Sequence, residues 1–125
     1  MIKRSLLVAT LATAFAAPAF AEGDAAKGEK VFKKCKACLA VGDGAKNKVG
    51  PALNGIVGAT AGKVADFKYS KAMVEAGEGG LVWDEANLAA YLTKPKDLVK
   101  GTKMSFAGLK KEQDRADVIA YLSGF

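Results

Sequence analysis

Two cysteines separated by two residues are the side chains of this sequence best suited to chemistry. Cys35 and Cys38 lie in the segment Cys35-Lys36-Ala37-Cys38-Leu39. Two thiols in an oxidising compartment can simply pair as a disulfide. They cannot complete a four-ligand structural zinc site without histidine, and the chain contains no histidine. A thioredoxin-like redox motif needs a strand before the pair and a helix after it. Here a helical pattern precedes the pair, and a glycine-rich segment follows it.

The spacing of the two cysteines also matches the attachment site of a c-type haem. In that pattern, Cys-x-x-Cys-His, two thioethers hold the porphyrin edge and the histidine that follows binds the iron. Leu39 stands where the histidine would be, and the chain offers no other imidazole to replace it. The segment therefore indicates covalent haem chemistry from which the proximal nitrogen ligand is missing.

The first 21 residues are predicted to be a secretory signal. Lys3 and Arg4 give a positively charged start, and an apolar run from Leu6 to Ala17 follows. That run is too short to span a bilayer, and Ala19-Phe20-Ala21 places small residues at the two cleavage positions. We expect cleavage after this tripeptide, leaving residues 22–125 as one soluble domain in the bacterial periplasm. The alternative is a retained N-terminal anchor.

Size and charge narrow the class of protein further. Cleavage would remove 2 of the 19 basic residues and none of the 13 acidic ones, so the formal charge would fall from +6 to +4. The remaining chain has the length of one domain and can build only a modest apolar core. A large cofactor would therefore fill much of its interior. Nucleic-acid binding is disfavoured, because basic and aromatic residues do not interleave.

Helix signals recur at four places in the predicted domain. The predicted helices run from Asp24 towards Cys35, from Ser70 through Ala76, from Asp84 to near Lys94, and from Lys111 to Ser123. Asp24, Ser70 and Asp84 are residue types that cap helix N-termini, and Gly77 is predicted to end the second helix. Pro95 ends the third helix. Gly28 lies inside the first helix, which predicts the close approach of another helix.

The segments between these helices lack any strand signal. Residues 42–62 are rich in glycine and small residues, residues 97–99 form a predicted turn, and Gly101-Thr102-Lys103-Met104-Ser105-Phe106 is a predicted loop. No segment alternates apolar and polar residues as a half-buried strand does. The predicted fold class is therefore all-α. Such long loops are uncommon in a compact domain unless something organises them, and a bound haem would do so.

Several short motifs follow one another in a characteristic order. They are Gly28 and Phe32, Cys35 and Cys38, the run Gly50-Pro51-Ala52-Leu53-Asn54-Gly55, Trp83, Tyr91 with Pro95, the 101–106 loop, and the run 115–122. In this order the chain resembles a class I cytochrome c of the bacterial cytochrome c2 and mitochondrial cytochrome c type. The resemblance implies the class I architecture, in which helices and long loops surround haem c, and an electron carrier rather than an enzyme. It also implies a contact between the first and last helices, made by Gly28, Phe32, Tyr121 and Leu122.

The same resemblance implies a role for each residue on the attachment side of the haem. Cys35 and Cys38 would bond covalently to its vinyl groups. The Pro51 carbonyl resembles the acceptor that fixes the proximal imidazole, an outer-shell role. Leu39 occupies the position of that imidazole, and its side chain has no lone pair to donate. Lost ligation is also expected to lower the stability of a chain that folds around its cofactor.

On the other side of the haem, Met104 resembles the distal ligand, a thioether that raises the reduction potential. The alternative for this residue is a methionine that fills a gap in the core. Tyr91 resembles the tyrosine that donates a hydrogen bond to the ligand sulfur, or else it is an ordinary core aromatic residue. Trp83 and Tyr69 resemble hydrogen-bond donors to the haem propionates.

Lysines flank the motifs that would frame the haem edge. They are Lys33, Lys34, Lys36, Lys46, Lys48, Lys94, Lys96, Lys100 and Lys103. The resemblance implies that such a ring steers a monomeric carrier onto acidic redox-partner proteins at the membrane periphery, through attraction that salt weakens. The alternative is an ordinary solvated basic surface.

The sequence thus predicts a periplasmic electron-carrier scaffold with defective haem attachment and axial ligation, and hence defective electron transfer. Two alternatives stay open. In the first, haem is still attached through Cys35 and Cys38, and the protein is a perturbed carrier or a five-coordinate haem protein that binds small ligands or has peroxidase-like activity. In the second, the chain is a haem-free interaction protein with a Cys35–Cys38 disulfide.

Overall fold

The computed structural model of the protein describes residues 22–125. The predicted secretory signal lies outside the described residues. Five helices follow in chain order: α1 Ala25–Phe32, α2 Lys71–Glu78, α3 Glu85–Thr93, α4 Pro95–Leu98 and α5 Glu112–Leu122. Within this part of the chain the only β pairing is an isolated antiparallel bridge between Thr60 and Val82. The predicted all-α fold is confirmed.

Three helices begin at the predicted caps. The Asp24 carboxylate accepts hydrogen bonds from the backbone N–H groups of Ala26 and Lys27, at 2.9 and 3.2 Å. Ser70 Oγ accepts from the Met73 N–H at 3.1 Å, and an Asp84 carboxylate oxygen from the Asn87 N–H at 2.8 Å. Each cap satisfies N–H groups that the first turn of a helix leaves unpaired.

Two local predictions differ from the structure. The second helix does not end at Gly77 but continues to Glu78. Gly77 is inside the helix because a Cβ there would lie 2.0 Å from the Ala61 carbonyl oxygen, so close packing, and not helix termination, requires glycine. The predicted turn at 97–99 is largely the short helix α4, which Pro95 begins at a position where its missing N–H is not needed.

Helices α1 and α5 form the main helix–helix contact. Gly28 is buried, and a Cβ at this position would lie 1.9 Å from the Asp117 carbonyl oxygen. The rings of Phe32 and Tyr121 lie 5.6 Å apart, centroid to centroid. The predicted contact between the first and last helices is therefore present, and the missing side chain of Gly28 lets the two backbones approach.

The Asp117 carboxylate ties α5 to the start of α1. It is only 3% exposed and accepts hydrogen bonds from the Asp24 backbone N–H and from Gln113 Nε2, both at 2.8 Å. These two hydrogen bonds, with a smaller contribution from Lys27, lower the pKa of Asp117 and outweigh the effect of burial. The carboxylate is thus held in its charged form where the two helices meet.

This arrangement predicts an acid-sensitive link between the ends of the chain. Because the folded-state pKa of Asp117 lies below the unfolded value of about 4, its contribution is present above that value and is lost as the pH falls through the folded pKa. Asp117→Asn should lower the thermal midpoint at pH 7, and the difference from the parent should shrink steadily below about pH 4. Asp43→Asn, a change of the same charge on an exposed loop residue, is the control. Equal pH profiles for the parent and Asp117→Asn would contradict the assignment.

The apolar core lies between the helices and the long loops. Its buried members are Phe32, Ile56, Ala61, Met73, Trp83, Leu88, Tyr91, Val99, Leu109, Val118, Ile119 and Leu122. Across residues 22–125, no helix combines the length and the apolar character that crossing a bilayer requires.

Candidate functional site

The cysteine pair lies in hydrogen-bonded turns that continue directly from α1. The Cys35 N–H donates to the Phe32 carbonyl at 2.8 Å, and the N–H groups of Cys38 and Leu39 both donate to the Cys35 carbonyl, at 3.1 and 2.9 Å. Residues three apart on a helical turn lie on the same face. The turn therefore presents the two thiols as neighbours.

The two cysteines differ in exposure. Cys35 is half-buried, Cys38 is exposed, and neither forms a disulfide with another described residue. Burial raises the pKa of the Cys35 thiol; Lys34 opposes this increase and Cys38 adds to it. At neutral pH, Cys35 is therefore held mainly as the thiol, whereas the Cys38 sulfur is open to solvent.

Leu39 is packed against the backbone of the glycine before Pro51. A Cβ built on Gly50 would lie 2.2 Å from Leu39 Cδ2. Two hydrogen bonds fix this approach, from the Gly50 N–H to the Cys38 carbonyl at 2.8 Å and from the Leu53 N–H to the Ala40 carbonyl at 2.9 Å. Hydrocarbon thus fills the space next to Pro51, whose carbonyl accepts no backbone hydrogen bond from the described residues.

Met104 is half-buried against the core, on a loop held by Thr102, a residue for which the sequence predicts no role. Thr102 Oγ1 lies 2.7 Å from the Tyr91 hydroxyl and accepts a hydrogen bond from the Met104 N–H at 3.3 Å. The structure therefore pairs Tyr91 with Thr102, whereas the resemblance implied the methionine sulfur. Burial raises the pKa of Tyr91, and the hydrogen bond with Thr102 opposes this increase. Thr102 was missed because its partner is eleven residues away.

The two predicted propionate donors, Trp83 and Tyr69, differ in their surroundings. Trp83 is 6% exposed, and its ring centroid lies 4.9 Å from that of Tyr91. Its backbone N–H donates to the Ala59 carbonyl at 2.8 Å, which fixes the residue at the edge of the glycine-rich loop. The Tyr69 hydroxyl accepts a hydrogen bond from the Val64 N–H at 3.0 Å, so its own proton is left to donate to another group.

The fold brings most of the predicted site residues to one apolar cluster. Cys35, Leu39, Tyr69 and Met104 pack against the core that contains Trp83 and Tyr91. Cys38 is exposed at its rim, and Pro51 is partly buried beside Gly50. Residues separated by up to about seventy positions along the chain therefore meet at one place. A surface groove of about 660 Å³ between α3 and α5 is lined by none of these residues.

The donor set of this cluster consists of sulfur atoms and hydroxyl and indole groups. Two cysteine sulfurs and the Met104 thioether belong to it, but the chain supplies no imidazole. Within residues 22–125, no three His, Cys, Asp or Glu side chains gather as a potential metal site. The cluster therefore offers sulfur donors but lacks a strong nitrogen ligand.

Helices and long loops around a cluster with a Cys-x-x-Cys turn define the class of protein as a class I cytochrome c. The structure superposes on that of cytochrome c2 from Rhodospirillum centenum with a TM-score of 0.79 and 46% identity, covering 82% of this chain and 98% of the other. For cytochrome cH from Methylobacterium extorquens the TM-score is 0.74 and the identity is 45%, covering 82% of this chain and 100% of the other.

Sequence relatives narrow the class to one family. Cytochrome c2 from Agrobacterium tumefaciens is 54% identical over 101 residues, covering 81% of this chain and 91% of the relative. Cytochrome c2 from Rhodomicrobium vannielii is 54% identical over 112 residues, covering 90% and 87%. No protein-family model matches the chain. The chain belongs to the cytochrome c2 family, whose members are electron carriers that bind haem c, not enzymes.

Proposed function

We propose that this chain is a cytochrome c2-family scaffold in which Leu39 replaces the proximal haem ligand. Haem attachment and axial ligation are then defective, and so is ordinary electron transfer. The observation that carries the proposal is the leucine side chain packed on Gly50 in a protein without histidine. Membership of the cytochrome c2 family supports the proposed scaffold. The leucine at position 39 supports the proposed defect in haem attachment and ligation.

The described residues fit haem c in three respects. Cys35 and Cys38 are free thiols on one turn and would form the two thioether anchors. Met104 is a half-buried thioether and would be the distal donor, on a loop fixed through Thr102 and Tyr91. Bound haem would supply a one-electron redox centre, whose potential the axial donors set. Trp83 and Tyr69 would donate hydrogen bonds to its propionates.

Haem c also requires a nitrogen donor beside Pro51, and the described residues do not supply one. An isobutyl side chain has no lone pair, and the site around Leu39 is too apolar to hold a water with several partners. The Lys48 ammonium group donates a hydrogen bond to the Lys36 carbonyl at 2.9 Å, so it already has a partner in this part of the chain. Met104 would be the only axial donor to iron, a weak thioether, and the Pro51 carbonyl would have no imidazole N–H to accept.

The remaining parts of the proposal follow the family. Residues 1–21 act as a cleaved leader and residues 22–125 as the single domain, exported to the periplasm as the family's carriers are. If haem is attached, the lysines flanking the site, such as Lys36 and Lys96, would guide a monomer onto acidic redox-partner proteins. This attraction would weaken as salt screens it.

The test is a denaturing gel of the exported protein stained for covalent haem, run beside a count of alkylatable thiols after reduction. We expect staining at the level of a Cys35→Ala/Cys38→Ala variant, and both thiols free to react. Attachment machinery that reads the whole five-residue segment would fail at Leu39. Strong haem staining with no reactive thiol would overturn the proposed attachment defect.

A second candidate function is a five-coordinate haem protein that binds small ligands. One observation favours it: hydrogen bonds of Thr102 with Tyr91 and Met104 hold the Met104 loop in place. This arrangement does not depend on a proximal ligand to iron. A coloured protein whose visible spectrum changes on adding carbon monoxide would support this candidate. A colourless protein would exclude it.

A further inference from the structure

We propose that Cys35 and Cys38 form a thiol–disulfide exchange site for anionic disulfides. This activity rests on the proposed function, because it requires cysteines that are not consumed as thioethers. It uses three features of the structure: the turn that pairs the two sulfurs, their unequal exposure, and the lysines around them.

The unequal exposure assigns a different step to each cysteine. The exposed Cys38 attacks one sulfur of the incoming disulfide as the thiolate, forming a mixed disulfide and releasing the first thiol. The half-buried Cys35 then attacks the Cys38 sulfur, and the second thiol leaves. The substrate disulfide is reduced to two thiols, while the cysteine pair loses two electrons and two protons to become a disulfide.

The turn allows the second step with a small movement. The Cys38 N–H donates to the Cys35 carbonyl at 3.1 Å, a three-residue spacing that in helices places Cβ atoms about 5–6 Å apart. A disulfide needs a Cβ separation of about 3.5–4.5 Å. Closing the bond therefore requires a local adjustment of about 1–2 Å at the end of α1, where the regular helix has already finished.

Positive charge surrounds this turn and selects the substrate class. Lys33, Lys34 and Lys36 are exposed on it, and Lys48 Nζ donates to the Lys36 carbonyl at 2.9 Å, which fixes an ammonium group over the segment between the two cysteines. The pair lies at the C-terminal end of a helix, where the helix dipole does not favour a thiolate. The lysines attract a substrate that carries carboxylates.

The experiment uses the reduced, exported protein with glutathione disulfide as the anionic probe and cystamine as the cationic one. Mass spectrometry of quenched samples should show the Cys35–Cys38 disulfide forming faster with glutathione disulfide. Cys35→Ser should stop the reaction at a glutathione adduct on Cys38, and Cys38→Ser should react much more slowly. These two variants leave the same number of thiols and so control for each other.

A charge variant tests the source of the preference. Lys48→Gln should reduce the ratio of the two rates about threefold, as expected for loss of one nearby charge in a solvated site. Lys110→Gln, which removes an equal charge from an exposed residue just before α5, should leave the ratio unchanged. Added salt should lower the ratio in the parent protein.

The outcomes separate this proposal from the one on which it rests. If both cysteines resist alkylation after reduction because they carry haem, both proposals are wrong. If both thiols react but glutathione stays on Cys38 without an internal disulfide, or if Cys35 reacts first, the exchange site is wrong and the proposed haem defect stands. Equal rates with the two probes would overturn the anionic selectivity.

Discussion

Leu39→His should restore covalently attached haem and a low-spin iron with one imidazole and one thioether ligand. The change completes the attachment pattern after Cys38 and supplies the missing nitrogen donor. The new N–H would also have an acceptor, because no backbone group among the described residues donates to the Pro51 carbonyl. Haem retained per chain should rise about tenfold or more, since even outer-shell ligand changes alter metal affinity that much. Haem-stained gels and the visible spectrum of the reduced protein would measure it.

A matched control places the histidine elsewhere in the same apolar cluster. Leu53→His adds an imidazole at another partly buried leucine, away from the cysteine turn in sequence, and should not restore attachment. If Leu39→His remains colourless while it folds, Leu39 is not the defect. If Leu53→His gains haem equally well, the effect is not specific to position 39.

Gly28→Ala should strongly destabilise the fold. The added Cβ would lie 1.9 Å from the Asp117 carbonyl oxygen and 2.8 Å from the Tyr121 Cβ. Neither contact can be relieved by turning a flexible side chain, so α1 and α5 must separate. Overpacking of this kind costs about 3 kcal/mol, which in a domain of this size lowers the thermal midpoint by roughly 10 °C or more. Circular dichroism melting would measure the change.

Gly124→Ala is the control for this prediction. A Cβ at Gly124 would meet the Tyr121 carbonyl oxygen at 3.4 Å, an ordinary contact. Its midpoint should stay close to that of the parent protein. A Gly28→Ala variant that melts with the control would mean that the close approach of the two helices contributes little to stability.

Features set by neighbouring residues could be predicted from the sequence. The side-chain oxygens of Asp24, Ser70 and Asp84 satisfy N–H groups two or three residues further on, so their cap roles are visible in a short window of sequence. Pro95 ends α3 for an equally local reason, because it cannot continue the hydrogen-bond pattern of the helix. The cysteine pair and Leu39 likewise form one contiguous motif.

Features set by distant partners could not be predicted in this way. The sequence predicts a helix end at Gly77, whereas the residue lies inside the helix, because the Ala61 carbonyl that requires its missing side chain is sixteen residues earlier. The Tyr91–Thr102 hydrogen bond could not be predicted for a related reason. The sequence does not indicate which group a hydroxyl in a loop will bond to. The contact of Leu39 with Gly50 also depends on how a loop folds back onto the cysteine turn.

The pairing of α1 with α5 has a consequence for how the protein responds to a poorly held cofactor. The two helices lie at the two ends of the described chain and pack against each other. The residues between them, position 39 included, therefore form one long loop that this contact closes. Contacts between the helices, such as that of Gly28 with Asp117, offset the entropy cost of closing that loop. Weaker contacts around the haem site do not require α1 and α5 to separate. The two helices can therefore stay packed together even when haem is poorly held.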